Sequence, residues 1–326
     1  MGTTTTTTDS HSSSATVPPA TDRPVRITDG GLETFLIFHD KIELPDFASF
    51  PLVTTIAGRA ALRRYYQRFL DVATDLGVGI VLDTPTWRAS ADWGARLGYD
   101  TDHLADINSS AVSMIRAFAQ GHTDVVINGV IGPRGDGYEV GATMRIDEAV
   151  SYHGLQARAF AASEVDTVTA VTMTYVDEAI GVVRACERVG VPVVVGFTVE
   201  TDGRLPSGQP LGDAITAVDE ATDRAPVDFM VNCAHPSHFA GVLDGNTEWC
   251  SRIGAIRPNA SRMSHEELDN ATELDRGDPS ELATESVALR AALPNIRVVG
   301  GCCGTDDEHV AALATAFAAA PAGSVR

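Results

Sequence analysis

Three cysteines lie where apolar segments of the sequence end, and two of them are adjacent. Cys302 and Cys303 follow a short apolar run and stand between glycines, in the order Gly-Gly-Cys-Cys-Gly-Thr. Cys233 ends a second apolar run, Phe-Met-Val-Asn-Cys. Thiolates bind zinc at about 2.3 Å, and three of them leave one position of a tetrahedral ion open. The pattern therefore predicts a catalytic zinc site.

The donor set also predicts the type of reaction. A zinc ion held by three thiolates carries a net negative charge, so it activates water poorly. It suits an incoming thiol, whose pKa it lowers so that the sulfur stays nucleophilic. Alkyl transfer to a thiol is the reaction that these properties favour. Two other interpretations stay open for the same residues: buried, unreactive thiols, or a strained disulfide between Cys302 and Cys303.

Composition excludes several classes of function. The chain has 326 residues, of which 44% are hydrophobic, and a net charge of −20. Such a charge repels phosphate backbones, so nucleic acid is not an expected partner. No stretch approaches the ~20 apolar residues of a membrane span. An odd count of five cysteines argues against a disulfide scaffold and favours a reducing, cytoplasmic location.

Eight apolar, β-branched segments recur along the chain, each followed by a helical pattern. The predicted strands are Val25–Thr28, Gly79–Leu82, Val125–Val130, Thr167–Thr172, Val191–Phe197, Phe229–Cys233, Arg252–Ile256 and Ile296–Val299. Near-continuous apolar strands alternating with helices indicate a parallel sheet covered on both faces. Eight such units favour a closed (β/α)8 TIM barrel over an open, doubly wound sheet.

The predicted domain organisation is simple. We expect one barrel domain over residues 23–320, a disordered tail rich in threonine and serine over 1–22, and a short C-terminal tail over 321–326. Polar, low-complexity sequence cannot bury enough apolar surface to order itself. The charged segment 264–273 is predicted to be the solvated face of a helix.

Polar and glycine-rich residues gather after the predicted strands, on the face of a barrel that carries active sites. Strands six and eight each lie beside strand seven, so Cys233 can approach Cys302 and Cys303 across it. Thr84 and Trp87, after strand two, are predicted to line the mouth of the site. His235, close to Cys233, is either a partner of the metal ligands or an ordinary core or surface histidine.

The sequence resembles the zinc-dependent homocysteine S-methyltransferases from about Ile27 to Val310. The matching motifs are Asp29-Gly30-Gly31-Leu32-Glu33-Thr34, Ile131-Gly132-Pro133, Gly196-Phe197-Thr198, Val231-Asn232-Cys233 and Gly300-Gly301-Cys302-Cys303-Gly304-Thr305. The resemblance implies a (β/α)8 barrel with Cys233, Cys302 and Cys303 as zinc ligands. It also implies that Asp29, Gly30 and Gly31 hold an amino-acid substrate, and that Asn232 approaches the zinc when no thiol is bound.

One position departs from the family. Where the family carries a glutamate that receives the substrate's ammonium, this chain has Val171. An unpaired charge inside a site is costly, which leaves two alternatives. Another carboxylate replaces the glutamate, with Glu200, Asp29 and Glu33 as candidates, or the acceptor is a different thiol or selenol.

The resemblance implies two small-molecule partners, a thiol acceptor and a methyl donor. The chain has no room for the further domains of the family members that use folate and cobalamin. A sulfonium donor, S-methylmethionine or S-adenosylmethionine, fits best, and homocysteine would become methionine. Betaine is an alternative donor, although Arg88 stands where a further aromatic ring would help to enclose it. A catalytically silent zinc-binding barrel is the remaining alternative, and the oligomeric state is left open.

Overall fold

Eight parallel strands close into a barrel in strict chain order. The computed structural model describes residues 25–320, so both predicted tails lie outside the described residues. The strands are β1 (Arg26–Ile27), β2 (Ile80–Asp83), β3 (Val125–Ile131), β4 (Thr167–Met173), β5 (Val193–Phe197), β6 (Asp228–Asn232), β7 (Ile253–Arg257) and β8 (Val298–Val299). The predicted TIM barrel is therefore confirmed.

Helices follow the strands and cover the outside of the barrel. They are α1 (Leu32–Phe38), α2 (Ile56–Leu76), α3 (Ala91–Arg96), α4 (Thr101–Phe118), α5 (Ile146–Ala162), α6 (Val176–Val189), α7 (Leu211–Ala221), α8 (Pro236–Phe239), α9 (Glu248–Ser251), α10 (His265–Asp269), α11 (Pro279–Ala288) and α12 (Asp307–Ala319). Short 3₁₀ turns occupy Pro45–Phe47, Phe50–Thr54, Ala240–Val242 and Leu289–Ala291. No helix within residues 25–320 is long and apolar enough to cross a membrane.

Helix α2 shows how the sequence sets these boundaries. The Thr55 hydroxyl accepts the backbone N–H of Gly58 at the first turn, which satisfies one of the free donors there. Gly77 ends the helix in a left-handed conformation, with φ of 64°, which glycine adopts at little cost. Between these ends, apolar side chains at helical spacing, including Phe69 and Leu70, pack against the barrel.

Two apolar clusters divide the core. The larger fills the space between strands and helices. The smaller contains Val130, Val171, Met230 and Ala255, from four different strands. Because side chains alternate across a strand, these residues face the opposite side of the sheet from their neighbours in the larger cluster, that is, the barrel interior. Apolar side chains therefore fill the barrel interior below its open C-terminal end.

The strand boundaries differ from the predicted ones mainly at the seam between the first and last strands. Both β1 and β8 have only two residues, although four were predicted for each. The ladder continues beyond them through single hydrogen bonds, since Thr28 N–H donates to the Val299 carbonyl at 2.9 Å. The predicted solvated helix at 264–273 is partly wrong. Only His265–Asp269 is helical there, and His265 is buried.

The seam leaves no room for a side chain at position 300. A methyl group on Gly300 would collide with the Thr28 side chain and the Asp29 carbonyl, whereas Gly135 faces open space. We expect Gly300→Ala to lower the free energy of unfolding by about 1–3 kcal/mol through overpacking. Gly135→Ala should change it by less than about 0.5 kcal/mol. Urea denaturation measures both, and equal effects would contradict the packing described for the seam.

Candidate metal centre

The three predicted thiols converge at the mouth of the barrel. Cys233 directly follows β6, while Cys302 and Cys303 follow β8, and the three Sγ atoms all lie within 4.8 Å of one another. Tetrahedral zinc with Zn–S bonds of about 2.3 Å needs sulfur–sulfur separations of about 3.8 Å. The separations exceed that spacing by at most about 1 Å. All five cysteines are free thiols, so Cys302 and Cys303 are not joined as a disulfide.

The backbone at Cys233 is in an uncommon conformation that turns the chain at the end of β6. Its φ is 55°, in the left-handed region, which costs a non-glycine residue about 1–2 kcal/mol. Two contacts hold it there. The Cys233 N–H donates to the Arg257 carbonyl at 3.0 Å, and its own carbonyl lies 3.1 Å from Nε2 of His265. Backbone strain held by neighbours in this way is typical of functional sites.

A tight turn lets the two adjacent cysteines serve one centre. β8 ends at Val299, the chain turns at Cys303 and Gly304, and Gly304 has φ of 78°. The Cys302 carbonyl accepts both the N–H and the hydroxyl of Thr305, at 3.1 and 2.7 Å. The Cys303 carbonyl accepts the N–H of Ala260 at 3.0 Å. Because both carbonyls are fixed by these bonds, both thiols are held beside Cys233.

The local electrostatics fit a cation between the sulfurs. Burial raises the pKa of the Cys233 thiol, and contact with Cys233 raises the pKa of Cys302. Three neighbouring thiolates therefore need a compensating positive charge, which a thiophilic divalent metal provides. Two polar groups stand within hydrogen-bond distance of the sulfur of Cys233. The Tyr138 hydroxyl is 3.1 Å away, and the Asn259 amide donates at 3.7 Å.

The thiols line a cavity of about 340 Å³ at the C-terminal ends of the strands. Nine of the residues predicted for the site line this cavity: Asp29, Gly30, Gly31, Thr84, Trp87, Asn232, Cys233, Cys302 and Cys303. Most of its wall is apolar, since Val130 and Val171 form part of its floor and Phe47 and Trp87 part of its sides. The cavity can therefore hold a small organic molecule beside the thiols.

Several predicted residues shape the cavity through their own hydrogen bonds. The Thr84 hydroxyl accepts the N–H of Val130 at 2.9 Å, and the Trp87 indole donates to the Val171 carbonyl at 3.4 Å. The Asn232 amide accepts the N–H of Thr172 at 3.0 Å and donates to its hydroxyl at 3.1 Å. These contacts hold the loop after β2 against β3 and β4, and the end of β6 against β4.

His235, for which two roles were left open, is not in the cavity wall. Its Nδ1 accepts the N–H of Ser237 at 3.2 Å, so it caps the short helix α8. Burial lowers the pKa of His235 to about 4, so the ring is neutral and free to accept this bond. Helix capping therefore explains why a histidine stands two residues after Cys233.

A buried arginine is the main feature that the sequence did not indicate. Arg257 ends β7, and its Nη2 lies 2.6 Å from Oδ1 of Asp29, while its Nη1 pairs with Asp83. Its Nε donates to the Gly301 carbonyl at 2.9 Å. Burial raises the pKa of Asp29 to about 7, against the opposing effect of Arg257. One side chain therefore joins β1, β2, β7 and the loop after β8.

Tyr138 was also missed, because it lies in the irregular segment after β3, where no periodic pattern marks it. Its ring stacks on His265, with centroids 4.0 Å apart. The same histidine lies 3.0 Å from the Glu200 carboxylate, which is not part of the cavity wall. Val171, by contrast, does lie in the wall and offers no charge. Of the three candidate replacements for the family's glutamate, Asp29 and Glu33 line the cavity.

Comparison with known proteins agrees with this geometry. A family model described as homocysteine S-methyltransferase matches residues 26–317. The chain belongs to the homocysteine S-methyltransferase family. The homocysteine methyltransferase MmuM from Escherichia coli, in its metallated form, is 17% identical and covers 90% of this chain and 96% of its own, with a TM-score of 0.70. The oxidised form of the same enzyme gives a TM-score of 0.71 over the same shares of the two chains. At this identity the likeness shows the fold.

A further relative is a much longer protein, of which only a small part matches this chain. Methionine synthase of Mycobacterium leprae is 32% identical over 146 residues, which are 44% of this chain and 11% of that protein. The chain thus matches only about a tenth of this relative's length. Family membership rests on the match over residues 26–317.

Removal of Arg257 tests its role as the tie across the mouth. We expect Arg257→Met to lower the free energy of unfolding by about 3–5 kcal/mol, because Asp29 and Asp83 would be left buried without their cation. Arg297→Met is the matched control, since Arg297 pairs with Asp228 at a more exposed position and should contribute only about 0–1 kcal/mol. Chemical denaturation compares the two, and equal losses would contradict the structural role of Arg257.

Proposed function

We propose that this protein is a zinc-dependent methyltransferase that moves a methyl group from a sulfonium donor to the thiol of homocysteine, forming methionine. The observation that carries the proposal is the convergence of three thiols on a substrate-sized cavity, at the end of a barrel where active sites lie. The family to which the chain belongs supports the same reaction.

Cys233, Cys302 and Cys303 would hold the zinc. Zinc at these sulfurs would lower the pKa of the acceptor thiol and keep it nucleophilic near neutral pH. The remaining work falls to the protein. Tyr138 and Asn259 place hydrogen-bond donors beside the Cys233 sulfur, where they stabilise negative charge. We assign the substrate contacts to Asp29, Gly30, Gly31, Thr84, Trp87 and Asn232.

The apolar wall contributes to the transfer itself. A new sulfur–carbon bond forms to the acceptor as the old one to the sulfonium breaks, so a negative and a positive charge disappear together. Val130, Val171 and Trp87 line this space with apolar surface. Charged reactants are poorly solvated there relative to the less polar transition state, which lowers the barrier. The walls also hold donor and acceptor in line.

The volume of the cavity and the position of Arg88 limit which methyl donor fits. A volume of 340 Å³ is at the lower end of the ~300–1,000 Å³ range of small-molecule sites. This supports an amino-acid sulfonium such as S-methylmethionine over the bulkier S-adenosylmethionine. Betaine is less well supported, because the Arg88 guanidinium already stacks on Trp87, 4.7 Å from the ring centroid.

Val171 favours one second candidate, the same chemistry on a thiol or selenol without an α-ammonium group. The valine lies in the cavity wall, where it cannot compensate a positive charge. Reduced thiols at the site also fit a reducing compartment, and we infer a cytoplasmic location.

The metal ligands and the reaction can be tested together. We expect zinc-loaded protein to form methionine from homocysteine and S-methylmethionine, with S-adenosylmethionine and betaine as parallel donors. Cys303→Ala should lose both bound zinc and turnover, because two thiolates cannot replace three. Cys186→Ala is the matched control, since Cys186 is buried in α6, away from the cavity, and this variant should keep about one zinc per chain.

Elemental analysis and product chromatography give the two results. Full turnover in Cys303→Ala would refute the proposed mechanism. Zinc retained in the unaltered protein, with no turnover on any donor, would refute homocysteine as the acceptor and leave the second candidate.

A further inference from the structure

Two opposite charges on the cavity wall have no full partner within the protein. Glu33 is the second residue of α1 and lines the cavity. Its Oε1 accepts the Ser49 hydroxyl at 2.7 Å, and within residues 25–320 it forms no ion pair. Burial raises the pKa of Glu33, which means that its charged form lacks compensation there. An incoming cation would supply that compensation.

Arg88 supplies the complementary charge on the neighbouring loop, after β2. Its guanidinium is stacked against Trp93, 3.8 Å from the ring centroid, and against Trp87, which fixes its plane. Nη1 donates to the Asp46 carbonyl, and Nη2 lies 3.2 Å from Oδ2 of Asp136. Nε is buried and has no partner among the described residues.

The unfilled position on Arg88 has a definite chemical preference. Nε and Nη2 form one edge of the guanidinium, and this edge takes a carboxylate through two parallel hydrogen bonds. Here Asp136 occupies it with a single contact of 3.2 Å, and its side chain is 44% exposed. A ligand carboxylate can therefore displace Asp136 and engage both donors.

The other charged groups at the mouth are paired, lie outside the cavity or are exposed to water. Every kind of donor on Arg257 is used, by Asp29, Asp83 and the Gly301 carbonyl. Glu200 contacts His265 and does not line the cavity. Asp269 also lines the cavity, but it is exposed, so water compensates its charge. Glu33 and Arg88 remain as an anion and a cation that both line the cavity and do not pair with each other.

We propose that Glu33 and Arg88 together bind an α-amino-acid group of a substrate, Glu33 receiving its ammonium and Arg88 its carboxylate. This inference rests on the proposed function, because it assigns the amino-acid end of a molecule whose sulfur reacts beside Cys233, Cys302 and Cys303. It explains how the site accommodates an ammonium although position 171 is a valine. In this proposal Glu33, in the helix that follows β1, replaces the glutamate that the family carries at position 171.

An α-amino-acid group is common to homocysteine and to S-methylmethionine, so the experiment has two arms. Calorimetry on the zinc-loaded protein measures binding of homocysteine, of its deaminated analogue and of its decarboxylated analogue. The second arm uses S-methylmethionine with its own deaminated and decarboxylated analogues. We expect loss of the ammonium group, or of the carboxylate group, to weaken binding at least about tenfold for one of the two substrates.

Two variants assign the groups. Glu33→Gln should abolish the preference over the deaminated analogue and leave the preference over the decarboxylated one, while Arg88→Gln should do the reverse. Asp269→Asn is the matched control, since Asp269 is another carboxylate of the same cavity, and it should keep both preferences. Zinc content and thermal unfolding establish that each variant is folded and loaded.

The pattern of results decides the question. Changes confined to the homocysteine arm place the acceptor's amino-acid group at Glu33 and Arg88, and changes confined to the sulfonium arm place the donor's there. Unaltered preferences in both arms, in folded and loaded variants, overturn the inference. Because binding is measured without turnover, absence of methyl transfer in the unaltered protein would count against the proposed function alone.

Discussion

The charge of Arg257, buried between Asp29 and Asp83, holds the functional end of this barrel together. The seam it crosses is short, because β1 and β8 pair over only two residues. One guanidinium contacts the ends of β1 and β2 and the Gly301 carbonyl, immediately before the paired cysteines. Buried charge is costly unless it is paired and hydrogen-bonded, so these groups fix one another's positions. The position of Cys302 and Cys303 follows from that network.

The same end of the barrel separates charge into distinct regions. The thiols and the apolar floor line the same cavity, and Arg257 offsets one of the two negative charges of Asp29 and Asp83. Glu33, in the first turn of α1, and Arg88, on the loop after β2, remain available to a ligand. A low-polarity cavity between charged groups strengthens each electrostatic contact that a substrate makes. Binding of the amino-acid group and transfer of the methyl group would thus use different residues of one cavity.

Most of the architecture could be predicted from the sequence. Strands such as Val125–Ile131 are nearly continuous in apolar residues, and this pattern belongs to strands covered on both sides. The three thiols could be predicted because a Cys-Cys pair between glycines, after a strand, is a specific local signal. The cavity-lining positions of Asp29, Thr84 and Trp87 follow from the rule that barrel sites form at the C-terminal ends of strands.

The remaining features depend on contacts between distant parts of the chain. Arg257 and Asp29 are 228 residues apart, and no local pattern marks them as partners. Tyr138 lies in an irregular segment, and His265 looks like part of a charged surface helix until the fold brings the two rings together. Glu33 was one of three equivalent candidates in the sequence. The choice among them needs the burial and pairing of Asp29 and Glu200, which only the assembled barrel provides.

X-ray absorption at the zinc edge counts the sulfur atoms around the metal, and so measures how many cysteines hold it. We expect three sulfurs at about 2.3 Å and one lighter atom in the zinc-loaded protein. We expect four sulfurs once homocysteine is added. Two or fewer sulfurs before addition, or no additional sulfur with saturating homocysteine, would contradict the claim that three cysteines hold a zinc ion open to the acceptor thiol.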